Sequence, residues 1–189
     1  MAGNDIVDLD LAREPLGEKR LRFIQKVFTP REQEVILSGE AGLWAIWAMK
    51  EAIYKAHHRR FDLPRSYQPK RIEVAINMTR PDIAAAQGEY DGHTYWGSGI
   101  LTSGYLHFTA SCHPEIFIFQ EVHPISVDIK HRLIDLISKK TGLRIDDISA
   151  GKRDHNIPQL YYKNKLLQLP FSISHHGKYA GFSFQLINY

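Results

Sequence analysis

Residues 41–58 read AGLWAIWAMKEAIYKAHH, and this stretch decides the fold. Ala, Leu, Met, Lys and Glu dominate it, all strong helix formers, so a long helix is expected over about 41–58. Within it Trp47, Glu51 and Lys55 recur at i, i+4 and i+8 and therefore share one face, with Lys50 flanking them. An exposed Glu–Lys pair, stabilising a surface helix by ~0.2–0.5 kcal/mol, would account for Glu51 and Lys55 but not for the rest of the pattern.

Working outward toward the N-terminus, Thr29-Pro30-Arg31-Glu32 is a helix start. Thr is a good cap, Pro suits the first helical position, and Glu three residues later completes a capping box. That helix should run to about Leu37 and end at Gly39. A basic helix is expected over about Asp10–Val27, and residues 3–9, GNDIVDL, read as a short strand. Toward the C-terminus, residues 59–69 with two prolines read as a linker, and His57, His58, Arg59 and Arg60 as the cationic, frayed helix end. Residues 70–122 are β-rich, with a hairpin turn at Asp91-Gly92. Residues 130–141 form an amphipathic helix capped at Gly142, and the tail returns to strands. The fold class is α+β, an antiparallel sheet packed against a long helix, in one domain over 1–189. A faint echo links Phe108–His113 to Phe171–His176 and Phe119-Gln120 to Phe184-Gln185, by chance similarity of two hairpins or by decayed duplication.

Composition narrows the function classes. With 43% apolar and 24% charged residues among 189, the chain is an ordinary globular one. Cys112 is the single cysteine, so there is no internal disulfide and no Cys/His ladder for structural zinc. The acidic start, with Asp5, Asp8 and Asp10, is unlike a secretory signal, and no run approaches the ~18 apolar residues of a membrane span. A cytoplasmic protein is expected. The net charge of +3 is too mild to imply nucleic acid, and no nucleic-acid-binding motif accompanies it.

Two further constellations carry chemistry. Asp5 sits inside a short apolar strand, where Asp is depleted; it either caps the following turn or serves as a ligand. A strand carboxylate and a helix carboxylate could together hold one hard cation such as Mg²⁺, which bridges to substrate phosphates. Residues 170–180, PFSISHHGKYA, end an apolar strand in hydroxyls, imidazoles, a glycine and a lysine. These suit a phosphate, or simply a polar hairpin turn.

Taken together these pieces resemble the 4′-phosphopantetheinyl transferases, and within them the compact holo-acyl-carrier-protein synthase branch. GNDIVDL resembles G-x-D-I-V, Phe28–Glu32 resembles F-T-x-x-E, WAMKEAIYK resembles W-x-x-K-E-A-x-x-K, and SISHHGKYA resembles S-x-S-H…Y-A, all in the family's order. The resemblance covers about residues 1–58 and 156–187; about 60–155 would be a β-rich insert relative to the compact members.

The resemblance implies Mg²⁺-dependent transfer of 4′-phosphopantetheine from coenzyme A, the co-substrate, to a serine of an acidic acyl or peptidyl carrier protein, as in fatty acid biosynthesis. It implies Asp5 and Glu51 as metal ligands, Lys50 and Lys55 as phosphate contacts, and Ser174 and His175 as holders of the 3′-phosphate. It also implies that Glu51, directly or through a bound water, takes the serine proton, with Lys55 neutralising charge. Val7 stands where the large monomeric branch has another acidic residue, as in the compact branch. The stretch 11–31 sets six cations against Glu14 and Glu18, a net +4, and Arg13 and Arg20 match positions that dock the carrier. A non-catalytic relative that binds coenzyme A or the carrier is the alternative. Compact members share each site between subunits, so a homotrimer is expected, with a pseudo-dimeric monomer as the other arrangement.

Overall fold

A computed structural model describes residues 1–13, 18–36, 40–114 and 118–186. Strand β1 (Ala2–Asp8) leads into helices α1 (Leu9–Ala12), α2 (Glu18–Val27), α3 (Pro30–Ile36) and α4 (Glu40–Phe61). Strands β2 (Ile72–Arg80), β3 (Ile83–Tyr90), β4 (His93–Leu101) and β5 (Tyr105–Ser111) follow. Then come β6 (Ile118–Pro124), α5 (Ile129–Thr141), β7 (Ile148–Lys152), β8 (Pro158–Tyr162), β9 (Lys165–Leu167), β10 (Phe171–His176) and β11 (Tyr179–Gln185). The α+β class and the antiparallel sheets agree with expectation. No helix among the described residues is long and apolar enough to cross a membrane.

Local signals placed most elements. Thr29 and Glu32 form the reciprocal capping box: the Thr29 N–H donates to Glu32 Oε2 at 2.8 Å and the Glu32 N–H to Thr29 Oγ1 at 3.3 Å. Asp128 caps α5, and Gly142 ends it in the left-handed region. Where α3 stops, the expected Gly39 lies outside the described residues. The expected helix over 10–27 is instead two described helices, because Asp8 ends β1 and caps α1 by accepting from the Asp10 N–H; residues 14–17 lie outside the described ones. Helix α4 does not fray at His57–Arg60 but continues to Phe61, held by burial of His57, His58 and Arg59.

Helix α4 is the spine of the first half. Leu43, Ile46, Met49, Ala52, Ile53 and Ala56 are buried against the five-stranded sheet β1-β5-β4-β3-β2. It rests directly on β1: a Cβ on Gly3 would lie 2.0 Å from the Ala52 carbonyl oxygen, so only glycine allows this approach. The second half has its own core, Leu133 and Ile137 of α5 against Leu160, Phe171, Phe182 and Phe184.

The two halves share one plan. In the first, β1 is followed by a helix and returning strands, and the last strand, β5, pairs antiparallel with β1. In the second, β6 is followed by α5 and returning strands, and the last, β11, pairs antiparallel with β6. The registers match as well: Asp8 faces Tyr105 and Asp5 faces Phe108, while Pro124 faces Tyr179 and Glu121 faces Phe182. Tyr105, Phe108 and Thr109 thus correspond to Tyr179, Phe182 and Ser183, and Asp5 corresponds to Glu121. The echo noted in the sequence is out of phase with this plan, since it compares β5 with β10 and the partners β6 and β11 with each other.

The halves meet along β1. The Asn4 N–H donates to Ser172 Oγ at 3.0 Å, and the Asn4 amide donates to Ser174 Oγ at 2.9 Å and meets His107 Nε2 at 2.9 Å. Burial pulls His107 down to about 3, so its ring is neutral and accepts the amide proton at Nε2. The Asp8 N–H donates to His176 Nδ1 at 2.9 Å, and the Lys178 N–H donates to Asp8 Oδ2 at 3.0 Å. Between them the chain turns at Gly177, whose φ of +54° and contact with Asp8 both exclude a side chain.

Candidate functional site

Asp5, Glu51 and Lys55 come together where β1 crosses α4. The four-residue spacing puts Glu51 and Lys55 on one helical face, and the close strand–helix approach brings Asp5 beside them. Lys55 Nζ lies 2.7 Å from Asp5 Oδ1 and donates to the Asn4 carbonyl at 3.0 Å. Burial pushes the Asp5 carboxyl up against the pull of Lys55. Glu51 is raised to about 7, first by burial and then by the Asp5 charge, with Lys55 opposing. The Tyr67 hydroxyl also pulls Glu51 down, yet the two miss hydrogen-bond geometry, and that hydroxyl has no partner among the described residues.

Two carboxylates thus share one ammonium, and both are held toward the protonated form. That arrangement fits a hard divalent cation, which needs only one or two carboxylates and fills its remaining positions with water and phosphate oxygens. No group of three His, Cys, Asp or Glu with metal-binding geometry occurs among the described residues.

Glu51 and Lys55 open onto a cleft of about 440 Å³, lined also by Arg59, Arg65 and Tyr67 and, from the second half, by Asn156, Ile157 and Ile173. An apolar cavity of about 270 Å³ adjoins it, sharing Arg59, Ile157 and Pro158. The cleft is therefore closed by both halves of one chain.

The other expected ligands are placed differently. Lys50 is not in the cleft. Its side chain is fully buried 2.7 Å from Glu32 Oε2 and donates to the carbonyls of Pro69 and Ile72 at 2.9 and 2.5 Å. One residue before Glu51 lies ~100° around the helix, so a phosphate contact at Lys50 is corrected to a structural tie. Its partner Glu32 also accepts from the Val74 N–H at 2.9 Å, joining α3, α4 and β2. Trp47 packs against Phe23 and Tyr67.

Ser174 is likewise corrected: it is 5% exposed and its hydroxyl accepts the Asn4 amide, so it joins the halves instead of facing ligand. Strand alternation puts Ile173 and His175 on the opposite face of β10. Ile173 lines the cleft, and His175 is exposed two residues farther along. Arg13 is exposed just after α1, and Arg20 is partly exposed on α2.

Sequence reading missed the tie made by Asn4, the pairing of Glu32 with Lys50 beyond its capping box, and the place of Arg59 and Arg65 in the cleft. For Arg59 the signal was present, since it extends the 47, 51, 55 series by one more step of four.

The model of the 4′-phosphopantetheinyl transferase superfamily matches residues 1–108, which include β1, α4 and Asp5, Glu51 and Lys55. No curated protein and no solved structure matches the chain.

Proposed function

The chain belongs to the 4′-phosphopantetheinyl transferase superfamily, whose members transfer phosphopantetheine, and from that premise we propose that it moves the group from coenzyme A to a serine hydroxyl of an apo-acyl or apo-peptidyl carrier protein. The observation that carries this reading is the cleft in which Glu51, raised to about 7, stands beside Asp5 and Lys55 among further cations.

Asp5 and Glu51 are the residues that would hold Mg²⁺, which when bound supplies charge neutralisation for the coenzyme A diphosphate. Lys55 turns its ammonium from Asp5 toward the phosphate charge that develops during transfer. The carrier serine oxygen forms a bond to the β-phosphorus, and the bond from that phosphorus to the leaving 3′,5′-adenosine bisphosphate breaks. Glu51, directly or through a bound water, takes the serine proton. His175 extends the phosphate contacts from the β10 edge. The exposed Arg13 and the partly exposed Arg20 would receive an acidic carrier.

The packing of β10 on β1 of its own chain supports a site completed within one chain, not the intersubunit trimer expected from motif order. On this reading residues 60–155 are the end of one half and the start of the next, not an added module.

The deciding experiment incubates an apo-carrier protein with the chain, coenzyme A and Mg²⁺, and weighs the carrier by mass spectrometry. A gain of one phosphopantetheine, lost in chelator, is expected; an unchanged mass across acyl and peptidyl carriers overturns the proposal. Mixing inactive Glu51→Ala and His175→Ala chains should restore nothing if one chain holds the whole site. Recovered activity would restore the trimer.

A further inference from the structure

One aromatic ring in the cleft is clamped on two sides while its hydroxyl is left without a bond. Among residues 61–68 Tyr67 is the one side chain that is not exposed, and it turns inward to line the cleft beside Glu51. Trp47 meets its ring at 5.8 Å and 86°, and Tyr54 meets it at 4.9 Å and 64°. Both contacts are edge-to-face, a favoured geometry of aromatic pairs. The clamps are anchored in turn. Phe23 of α2 packs on Trp47 at 5.4 Å. The Tyr54 hydroxyl accepts the Ser66 N–H at 3.1 Å, which ties the chain just before Tyr67 to α4. Trp47 and Tyr54 lie about one turn before and one turn after Glu51 on that helix, so the ring is braced beside its carboxylate.

The Tyr67 hydroxyl is buried with no partner among the described residues. A buried hydroxyl in that state is costly until an acceptor reaches it. After burial, the Glu51 charge is the largest influence on this phenol, and both push its acidity up. The hydroxyl therefore keeps its proton and faces Glu51 as a donor. Glu51 is the complementary case. Asp5 is fixed by Lys55 Nζ at 2.7 Å, whereas Glu51 makes no hydrogen bond among the described residues. Of the two partners the ring is clamped and the carboxylate is free, so a turn of the Glu51 side chain closes the bond.

We propose that Tyr67 is a positioning residue for Glu51: its hydroxyl donates to one carboxylate oxygen and leaves the other directed toward Asp5, to share a divalent cation. This rests on the reading of Asp5 and Glu51 as the holders of Mg²⁺. A metal-binding carboxylate is itself oriented by a hydrogen bond, and loss of that partner lowers metal affinity ~10–100-fold. Trp47, the first residue of the 47, 51, 55 series, then serves as the brace of the ring that orients Glu51.

The test is binding of Mn²⁺ to the full chain without coenzyme A, read by electron paramagnetic resonance of the free ion. Tyr67→Phe keeps the ring and its packing and removes only the hydroxyl. It should bind Mn²⁺ ~10-fold or more weakly than wild type, with an unchanged melting temperature in chelator. Affinity within ~2-fold of wild type overturns the inference alone. Absence of Mn²⁺ binding by the wild type, or equal binding by wild type, Asp5→Ala and Glu51→Ala, overturns the metal reading with it. Should Tyr67→Phe also melt lower, Tyr54→Phe provides the second measurement, because it releases the Ser66 N–H and loosens the ring. That variant should lose Mn²⁺ affinity a few-fold at an unchanged melting temperature, and affinity equal to wild type overturns the inference.

Discussion

Asp5 and Glu121 occupy corresponding positions in the two halves, yet only one of them stands in a candidate site. Asp5 meets a helical cation, Lys55, at 2.7 Å, and Glu121 meets a helical cation, Arg132, at 3.5 Å. The difference lies in the charges around each pair. In the first half a second carboxylate, Glu51, is buried beside Asp5, and one ammonium serves both. In the second half Glu121 also meets His123, and Asp135 is engaged by both Arg132 and Lys139. One scaffold thus yields a cluster short of positive charge and another that is compensated. Local charge deficit, more than the strand–helix crossing itself, sets the candidate site apart.

The largest expected effect tests that contrast directly. Asp5→Ala and Glu51→Ala should each slow transfer by ~10²-fold or more, the scale of removing a group that stabilises transition-state charge. Glu121→Gln should leave the rate within ~2-fold in the same mass-spectrometric assay, as a surface substitution away from the chemistry should. A comparable loss from Glu121→Gln would break the comparison.

Next in size is the buried tie outside the cleft. Lys50→Met leaves Glu32 charged and unpaired in the interior, and should cost ~3–5 kcal/mol of stability by urea denaturation. Lys50→Met with Glu32→Leu should regain much of it. Loss of coenzyme A affinity at unchanged stability would return Lys50 to the cleft.

The charge deficit also predicts a pH signature. Glu51 titrates near 4.5 when unfolded and about 7 when folded, and Asp5 is shifted in the same direction. Between those values the folded chain holds more protons than the unfolded one, so stability falls as pH rises from 4.5 through 7. Without divalent cation, melting temperatures should follow that fall, and Glu51→Gln should flatten it. Mg²⁺ should oppose it, since a cation binds the ionised pair better as protons leave. A Glu51→Gln profile parallel to wild type would remove Glu51 from this account.

The smallest effect belongs to the surface. Charge reversal at Arg13 and Arg20 should raise KM for the carrier a few-fold and flatten its salt dependence, because exposed charges act mainly through screened steering. Coenzyme A affinity should not move.

What the sequence disclosed follows from the distances over which each feature is determined. Helix α4, the Thr29–Glu32 box and the Gly142 cap are written within a few residues, so period and cap chemistry reveal them. Glu51 and Lys55 were legible for the same reason. Lys50 was misread because its partners, Glu32, Pro69 and Ile72, lie 18 to 22 positions away and a motif records none of them. Ser174 finds Asn4 across 170 positions, and a serine that binds phosphate spells the same as one that accepts an amide. The relation between the halves was blurred because strand register, not letter similarity, decides which residues correspond.

Gly3 carries a last consequence. Because α4 lies against bare backbone there, the gap between Asp5 and Glu51 is gauged by main-chain atoms, which cannot be re-cut by swapping one core side chain for another. Drift elsewhere in the core can proceed without changing the aperture between those two carboxylates. Gly3→Ala, one added methyl group, would instead act as a shim, widening that aperture while every charged residue kept its identity.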